Sequence, residues 1–120
     1  MELNINYTVE YDNQCIDDIM VTALEGGITY WCDRIEVVGD YLGDYASDQI
    51  SRGGTLRLYV PDEKKWFELT LEKFVKGLEK VVGERSPDIV YEGKIDADEI
   101  DADDADAIIQ YAIFGEIVYA

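Results

Sequence analysis

The sequence contains no histidine, only two cysteines and only two prolines. Without histidine, neither histidine acid–base catalysis nor a histidine metal ligand can operate in this chain. Cys15 and Cys32 are 17 positions apart, form no Cys-x-x-Cys motif and are predicted to be reduced, half-buried thiols. A nucleophilic cysteine also needs an activating base, which is usually a histidine. We therefore expect a protein that is not an enzyme and that needs no metal or other cofactor.

Basic residues and long apolar runs are also scarce. Ten Lys and Arg stand against 27 Asp and Glu, so the formal charge is −17 over 120 residues. Proteins bind phosphate backbones and anionic lipids through Lys and Arg, which disfavours direct binding to nucleic acid or to a membrane surface. The apolar stretches are only a few residues long, against the ~20 residues that span a bilayer, and the N-terminus has no signal-peptide pattern. The expected location is the cytoplasm.

The apolar fraction of 48% is that of a folded domain rather than of an acidic disordered tail. A length of 120 residues fits one domain, so residues 1–120 are predicted to form a single core.

Strict alternation over residues 2–11, with Leu3, Ile5, Tyr7, Val9 and Tyr11 on one side, predicts one long strand.

Two alternating segments, Leu56–Val60 and Trp66–Leu69, flank a turn and predict a β-hairpin. Residues 35–38 and 89–91 are candidate short strands. Three apolar stripes with helical spacing predict three helices. The class is therefore α+β, with an antiparallel sheet made of the N-terminal strand and the hairpin. The predicted helix N-caps are Asp12 or Asn13, Thr70, and Asp101 or Asp103, and the predicted stops are Gly26–Gly27, Gly83 and Gly115.

Acidic and basic residues are unevenly distributed along the chain. Residues 1–33 contain seven acids and residues 95–120 contain eight, and neither segment contains a base. All ten bases lie within residues 34–94, among twelve acids. The net charges of the three segments are therefore −7, −2 and −8. The densest run is 96–106, in which seven of eleven positions are acidic.

Three interpretations of the 96–106 run compete. An EF-hand calcium loop needs oxygen ligands at fixed positions and glycine at position 6. A loop that begins at Asp96 or at Asp101 does not meet these requirements. Capping and dipole interactions explain Asp101, Asp103 and Asp104, which precede the third helix. The remaining acids favour either a highly charged, soluble surface or a surface that imitates nucleic-acid phosphates and docks into a basic groove.

Aromatic residues are concentrated in the segment 28–54, which has no regular pattern. It contains Tyr30, Trp31, Tyr41 and Tyr45. Tyr and Trp offer large contact areas with a polar group and are enriched at interfaces. Two interpretations stay open, namely a loop packed over the sheet and a binding surface that joins these rings to the acids.

Four segments, 17–32, 45–54, 68–74 and 105–119, resemble a family of small hypothetical proteins of phages and mobile elements of Firmicutes. The similarity covers most of the chain, and the last segment is the most distinctive. The resemblance implies a phage context, in which small acidic proteins often act against host defence, as anti-CRISPR proteins do. It implies no residue roles.

We therefore expect a small acidic protein-binding inhibitor of the anti-defence or anti-CRISPR type. Its partner would be a host protein with a basic surface, such as a Cas9-type CRISPR-Cas effector with a positively charged channel. The alternatives are a phage accessory or assembly protein whose acidity serves solubility, and a metal-binding or hydrolytic protein that uses the 96–106 cluster. The candidate partner-binding residues are Asp96, Asp98, Glu99, Asp101, Asp103, Asp104, Asp106, Tyr30, Trp31, Tyr41 and Tyr45.

Overall fold

The N-terminal residues form a hairpin rather than one strand. The structure is a computed structural model that describes residues 1–4 and 8–120. Strands β1 (Glu2–Asn4) and β2 (Thr8–Glu10) pair antiparallel, with Leu3 opposite Val9. The prediction of one continuous strand was wrong because its two halves pair with each other, and its central positions Ile5 and Tyr7 lie outside the described residues. Leu3 and Val9 are both fully buried, so the alternation correctly marks the inner face of each half.

Over residues 1–4 and 8–120, three helices form where the apolar stripes predict them. They are α1 (Asn13–Thr22), which continues as a π-helical turn (Ala23–Gly27), α2 (Leu71–Arg85) and α3 (Ala102–Phe114). Among the predicted caps, Asp12, Thr70 and Asp101 each accept a hydrogen bond from the backbone N–H three residues on. Gly115 ends α3 with a left-handed φ of 77°.

The predicted stop of α2 at Gly83 is wrong. The helix continues through Gly83 to Arg85 and ends at Ser86, which precedes Pro87. A residue before proline is sterically pushed out of the helical region, so the proline ends this helix rather than the glycine.

The described residues contain seven strands, which form two separate sheets. In the first sheet the strand order is β1-β2-β7-β6, where β6 is Val90–Tyr91 and β7 is Lys94–Ile95, and β2 runs parallel to β7. The second sheet is β3 (Arg34–Val38), β4 (Thr55–Val60) and β5 (Lys65–Leu69), all antiparallel. The predicted hairpin is β4–β5, but it does not share a sheet with the N-terminal strands. The α+β class is confirmed.

One hydrophobic core lies between the helices and the two sheets. Helix α3 packs along α2, and the two backbones lie close together at Gly77, where an added Cβ would lie 2.2 Å from the carbonyl oxygen of Ile108. That contact fixes the distance between the two helices. The largest fully buried side chains of the core are Phe74, Leu3, Ile16, Ile19, Met20, Ile28, Ile50, Leu56, Leu58, Leu69, Leu78 and Ile89.

Two glycines of the same helix should respond to alanine in opposite ways. Gly77→Ala should destabilise the fold by about 1–3 kcal/mol, because the new methyl group overlaps the backbone of α3. Gly83→Ala should stabilise it by about 0.5–1 kcal/mol, because no atom lies within 4 Å of its added Cβ and alanine favours the helix. Urea unfolding of both variants measures the difference. Equal effects of the two substitutions would contradict the close packing of α2 on α3.

Candidate protein-binding surface

The two base-free segments of the sequence pack against each other in the fold. The π-helical turn that ends α1 lies against α3, and the 3₁₀ turn Ala97–Glu99 contacts α1. The contact is tight at Gly27, where an added Cβ would lie 2.9 Å from the carbonyl oxygen of Ala102. We define the base-free surface as the exposed part of residues 1–4, 8–33 and 95–120. It joins two segments that are more than 60 residues apart in the sequence.

Several acids of the 96–106 run cap local structure. The Asp96 side chain accepts a hydrogen bond from the backbone N–H of Asp98 at 3.1 Å and begins the 3₁₀ turn. Asp101 accepts from the backbone N–H of Asp104 at 2.8 Å, and Asp104 accepts in return from that of Asp101 at 3.3 Å. This reciprocal arrangement is a capping box, which satisfies two otherwise unpaired donors. Asp98 and Glu99 are exposed and have no such role in the described structure.

Asp104 is also paired with a base. Its carboxylate is 5% exposed and accepts a short hydrogen bond from the Arg85 guanidinium at the end of α2. Burial raises the pKa of Asp104, and the positive charge of Arg85 opposes that shift. Asp104 therefore joins α3 to α2 within the fold, and its carboxylate is not offered to a partner.

Asp106 is the centre of a buried hydrogen-bond network. Its carboxylate accepts from the Tyr30 hydroxyl at 2.5 Å, from the Trp31 indole N–H at 2.7 Å and from the Gln110 amide at 2.8 Å. The Gln110 Oε1 in turn accepts from the backbone N–H groups of Val118 and Tyr119, at 2.8 and 2.9 Å. The last residues of the chain are thereby held along α3. Residues 117–120 form no strand.

The structure corrects three of the predicted partner-binding residues. Trp31, Asp104 and Asp106 are 4%, 5% and 9% exposed, and their polar atoms bond within the chain. Burial of a carboxylate is costly unless donors surround it, and both of these aspartates have such donors. Sequence spacing could not reveal this, because Arg85 lies on α2 and Tyr30 and Trp31 lie more than 70 positions away; only Gln110, four positions after Asp106 on α3, is a neighbour by helical spacing. The candidates that remain exposed or half-buried are Asp96, Asp98, Glu99, Asp101, Asp103, Tyr30, Tyr41 and Tyr45.

Tyr30 and Asp103 lie together at a groove of about 380 Å³. Ala107, Ile117 and Tyr119 complete the apolar part of its wall. The Tyr30 side chain is 55% exposed, although its hydroxyl donates to Asp106. The pKa of Tyr30 is raised to about 12, first because its hydroxyl is partly buried, and further because of the bond to Asp106 and the nearby negative charges. Two predicted candidates 73 positions apart in sequence thus share one surface feature.

Tyr41 and Tyr45 lie on the loop that joins β3 to β4. Gln49, which is fully buried, accepts from the backbone N–H of Leu42 at 3.0 Å and donates to the carbonyl of Asp40 at 3.2 Å. The Asp48 carboxylate accepts from the backbone N–H of Tyr45 at 3.3 Å. These bonds order the loop, yet both tyrosine rings project into solvent, at 60% and 70% exposed. Of the two open interpretations, the rings therefore match an exposed surface rather than a packed layer.

The Tyr45 ring borders a second groove, which the sequence did not indicate. Val21, Leu24 and Glu25 of the first helical segment form one wall, and Tyr45 forms the other together with Ala46 and Ser47 of the loop. Val21 lies outside the buried stripe of α1 and is exposed, which is the one sequence signal that could have marked it. Leu24 packs against the core but is only half-buried.

The two thiols are poor nucleophiles in this environment. Cys15 and Cys32 are free and buried rather than half-buried. Burial raises the pKa of Cys15 to about 12, assisted by Asp12, Asp18 and Asp96, and burial raises that of Cys32 to about 11. Over residues 1–4 and 8–120, no three Cys, Asp or Glu side chains are grouped so as to hold a metal ion. In the same residues, no helix is long and apolar enough to cross a membrane.

Comparison with protein-family models, with curated proteins and with solved structures found no match to this chain.

The Tyr30 hydroxyl should contribute stability that disappears at high pH. Its pKa is raised in the folded state, so its stabilising effect is complete below the unfolded value near 10 and is lost as pH rises towards about 12. Tyr30→Phe should cost about 1 kcal/mol at pH 8 through the lost bond to Asp106. Denaturant unfolding of both proteins at pH 8 and pH 11.5 should show this difference shrinking. A difference that is the same at both pH values would argue against the bond.

The capping and non-capping acids of the 96–106 run should behave differently. Asp101→Ala should lower the free energy of unfolding by about 0.5–2 kcal/mol, because the N-cap acceptor of α3 is lost. The double variant Asp98→Asn, Glu99→Gln should keep or increase stability, because neither side chain caps a turn and both carry repelling charge. Thermal unfolding measures both. A large loss in the double variant would show that these two acids are structural.

Proposed function

We propose that this protein is a protein-binding inhibitor whose base-free surface docks into a basic, nucleic-acid-binding groove of its partner. One observation carries the proposal: the fold packs two segments without a single base onto each other. Of the four ion pairs in the described part of the chain, only Arg85–Asp104 involves a residue of these segments. Within the described residues, the exposed acids of these segments form no ion pair with a base of the chain, which supports an external cationic partner.

Aromatic residues, which protein interfaces favour, lie within this surface and at its border. Tyr30 lines a groove together with Asp103, and Tyr45, which lies outside the base-free segments, lines a groove together with Glu25. Tyrosine at the centre of an interface supplies much of the binding energy, while charges around it accelerate association and select the partner. Exposed rings bordered by carboxylates are thus suited to a basic protein surface.

The resemblance to phage and mobile-element proteins suggests which partner to test first. A Cas9-type effector holds its guide–target duplex in a positively charged channel. A compact acidic protein seated there would exclude nucleic acid without binding nucleic acid itself. The first experiment is therefore a binding measurement with a purified, guide-loaded effector, followed by a cleavage assay in the presence of this protein.

A phage accessory or assembly protein whose acidity serves only solubility is the competing proposal. Such a role requires net charge but no particular placement of it. It therefore predicts that acids anywhere on the molecule are equivalent, whereas docking predicts that acids of the base-free surface matter most. Matched sets of charge-neutralising substitutions can separate the two proposals.

Neutralising Asp98, Glu99 and Asp103 as Asn, Gln and Asn should slow association with the effector by about tenfold or more at low salt, because steering by opposite charges is lost. Binding by the unmodified protein should also weaken as salt is raised, since exposed charges are screened beyond ~8 Å at physiological ionic strength. Surface plasmon resonance at several salt concentrations gives both rates.

The matched control neutralises three exposed acids outside the base-free surface, Glu68, Glu72 and Asp88, as Gln, Gln and Asn. It removes the same net charge and should change the association rate far less. Equal slowing by the two triple variants would favour an unspecific charge effect. Binding that is independent of salt would exclude electrostatic docking.

A further inference from the structure

The groove beside Tyr45 combines apolar walls with a single acidic group. Its volume is about 330 Å³, and its walls are the side chains of Val21 and Leu24, the Tyr45 ring and Ala46. Glu25 is its one charged lining residue, and Ser47 is the other polar one. Val21 is 37% exposed and Tyr45 is 70% exposed, so the apolar surface of this groove faces solvent. Clusters of exposed apolar surface next to polar groups mark interaction sites in soluble proteins.

The groove is built on ordered elements. One wall belongs to the end of α1 and its π-helical turn, whose opposite face is buried in the core. The other wall is the 3₁₀ turn Ala46–Asp48, in which the Asp48 carboxylate accepts from the backbone N–H groups of Asp44 and Tyr45 at 3.1 and 3.3 Å. A ring held by an ordered backbone loses little conformational freedom on binding.

The charge around the groove selects a cation. Glu25 belongs to a segment without bases, and exposed Asp18 lies on the same side of α1, three positions before Val21. Arg52 is the one base of the neighbouring loop, and it lies against Gly43 rather than in the groove. A cation that enters from outside therefore meets a carboxylate and no competing positive charge in the lining.

We propose that this groove binds an arginine side chain of the partner, an inference that rests on the proposed function. The methylene stem of arginine packs on apolar walls while its charged head stays at the polar edge. Its planar guanidinium stacks on the Tyr45 ring and forms paired hydrogen bonds with the Glu25 carboxylate, which a lysine ammonium matches less well. The groove thus gives the base-free surface a defined contact in addition to its overall charge.

The test uses short peptides in place of the partner. Acetyl-Gly-Arg-Gly-amide is titrated into the labelled protein, and NMR follows the methyl groups of Val21 and Leu24 and the Tyr45 ring. Lysine and norleucine peptides of the same length test the guanidinium and the charge. The arginine peptide should shift these signals saturably, and Glu25→Gln or Tyr45→Ala should each weaken its binding by about threefold. Tyr91→Ala, which removes a tyrosine that is 69% exposed, and Glu68→Gln, which neutralises an exposed acid outside the base-free surface, are the matched controls and should leave it unchanged.

No shift at these groups, or equal binding of the norleucine or lysine peptide, would overturn the assignment to arginine. The proposed function is tested separately by the salt-dependent binding of the whole effector. If Tyr45→Ala and Glu25→Gln leave effector binding unchanged while the Asp98, Glu99 and Asp103 triple variant slows it, the function stands and the groove assignment fails. If the peptide binds as proposed but no effector binding is found, the groove stands and the proposed function fails.

Discussion

The buried carboxylate of Asp106 is the interaction on which much of the architecture depends. Three donors from two parts of the chain converge on it, namely the Tyr30 hydroxyl, the Trp31 indole and the Gln110 amide. A buried charge is tolerated only when its hydrogen bonds are satisfied, so this one carboxylate requires residues 30–31 and α3 to be in place together. Gln110 also accepts hydrogen bonds from the backbone N–H groups of Val118 and Tyr119, so these residues must be in place as well. Stacking of Trp31 on Tyr119, with ring centroids 5.7 Å apart, closes the cluster.

The hydrogen bonds of Asp106 show that part of the negative charge of the chain has a structural role. Within the 96–106 run, Asp96 and Asp101 cap turns, Asp104 pairs with Arg85, and Asp106 organises the buried network. Four of the seven acids therefore have a local role that follows from ordinary helix and hydrogen-bond physics. The acids left over are Asp98, Glu99 and Asp103, of which Asp103 also complements the dipole of α3 from its first turn, together with the exposed Asp18 of α1. The argument for a cationic partner now rests on this smaller, exposed group.

The sequence predicted those features that depend on neighbours along the chain. Helix stripes, the caps at Thr70 and Asp101, and the β4–β5 hairpin all follow from local spacing and turn chemistry. The features it did not predict depend on contacts between distant residues. The pairing of β1 with β2 preserves the same alternation as a single strand, so periodicity cannot tell the two apart. The short strand β7 was missed because two residues carry too little pattern, although Glu92–Gly93 forms the turn before it with two positive φ angles.

The same distinction between local pattern and distant contacts applies to the candidate surface. The sequence alone does not show whether an aspartate in an acidic run is exposed, like Asp103, or buried, like Asp106. The two differ in the hydrogen-bond donors that other elements of the fold bring to the carboxylate. The exposure of Tyr45 follows from the hydrogen bonds that Gln49 and Asp48 make within its loop. The loop has no regular periodicity from which these bonds could be predicted. Solubility alone explains excess carboxylates but gives no reason for an ordered loop to hold an aromatic ring in solvent beside Glu25. Burying that ring against a partner would remove apolar surface from water, and this gain exists only if a partner is present.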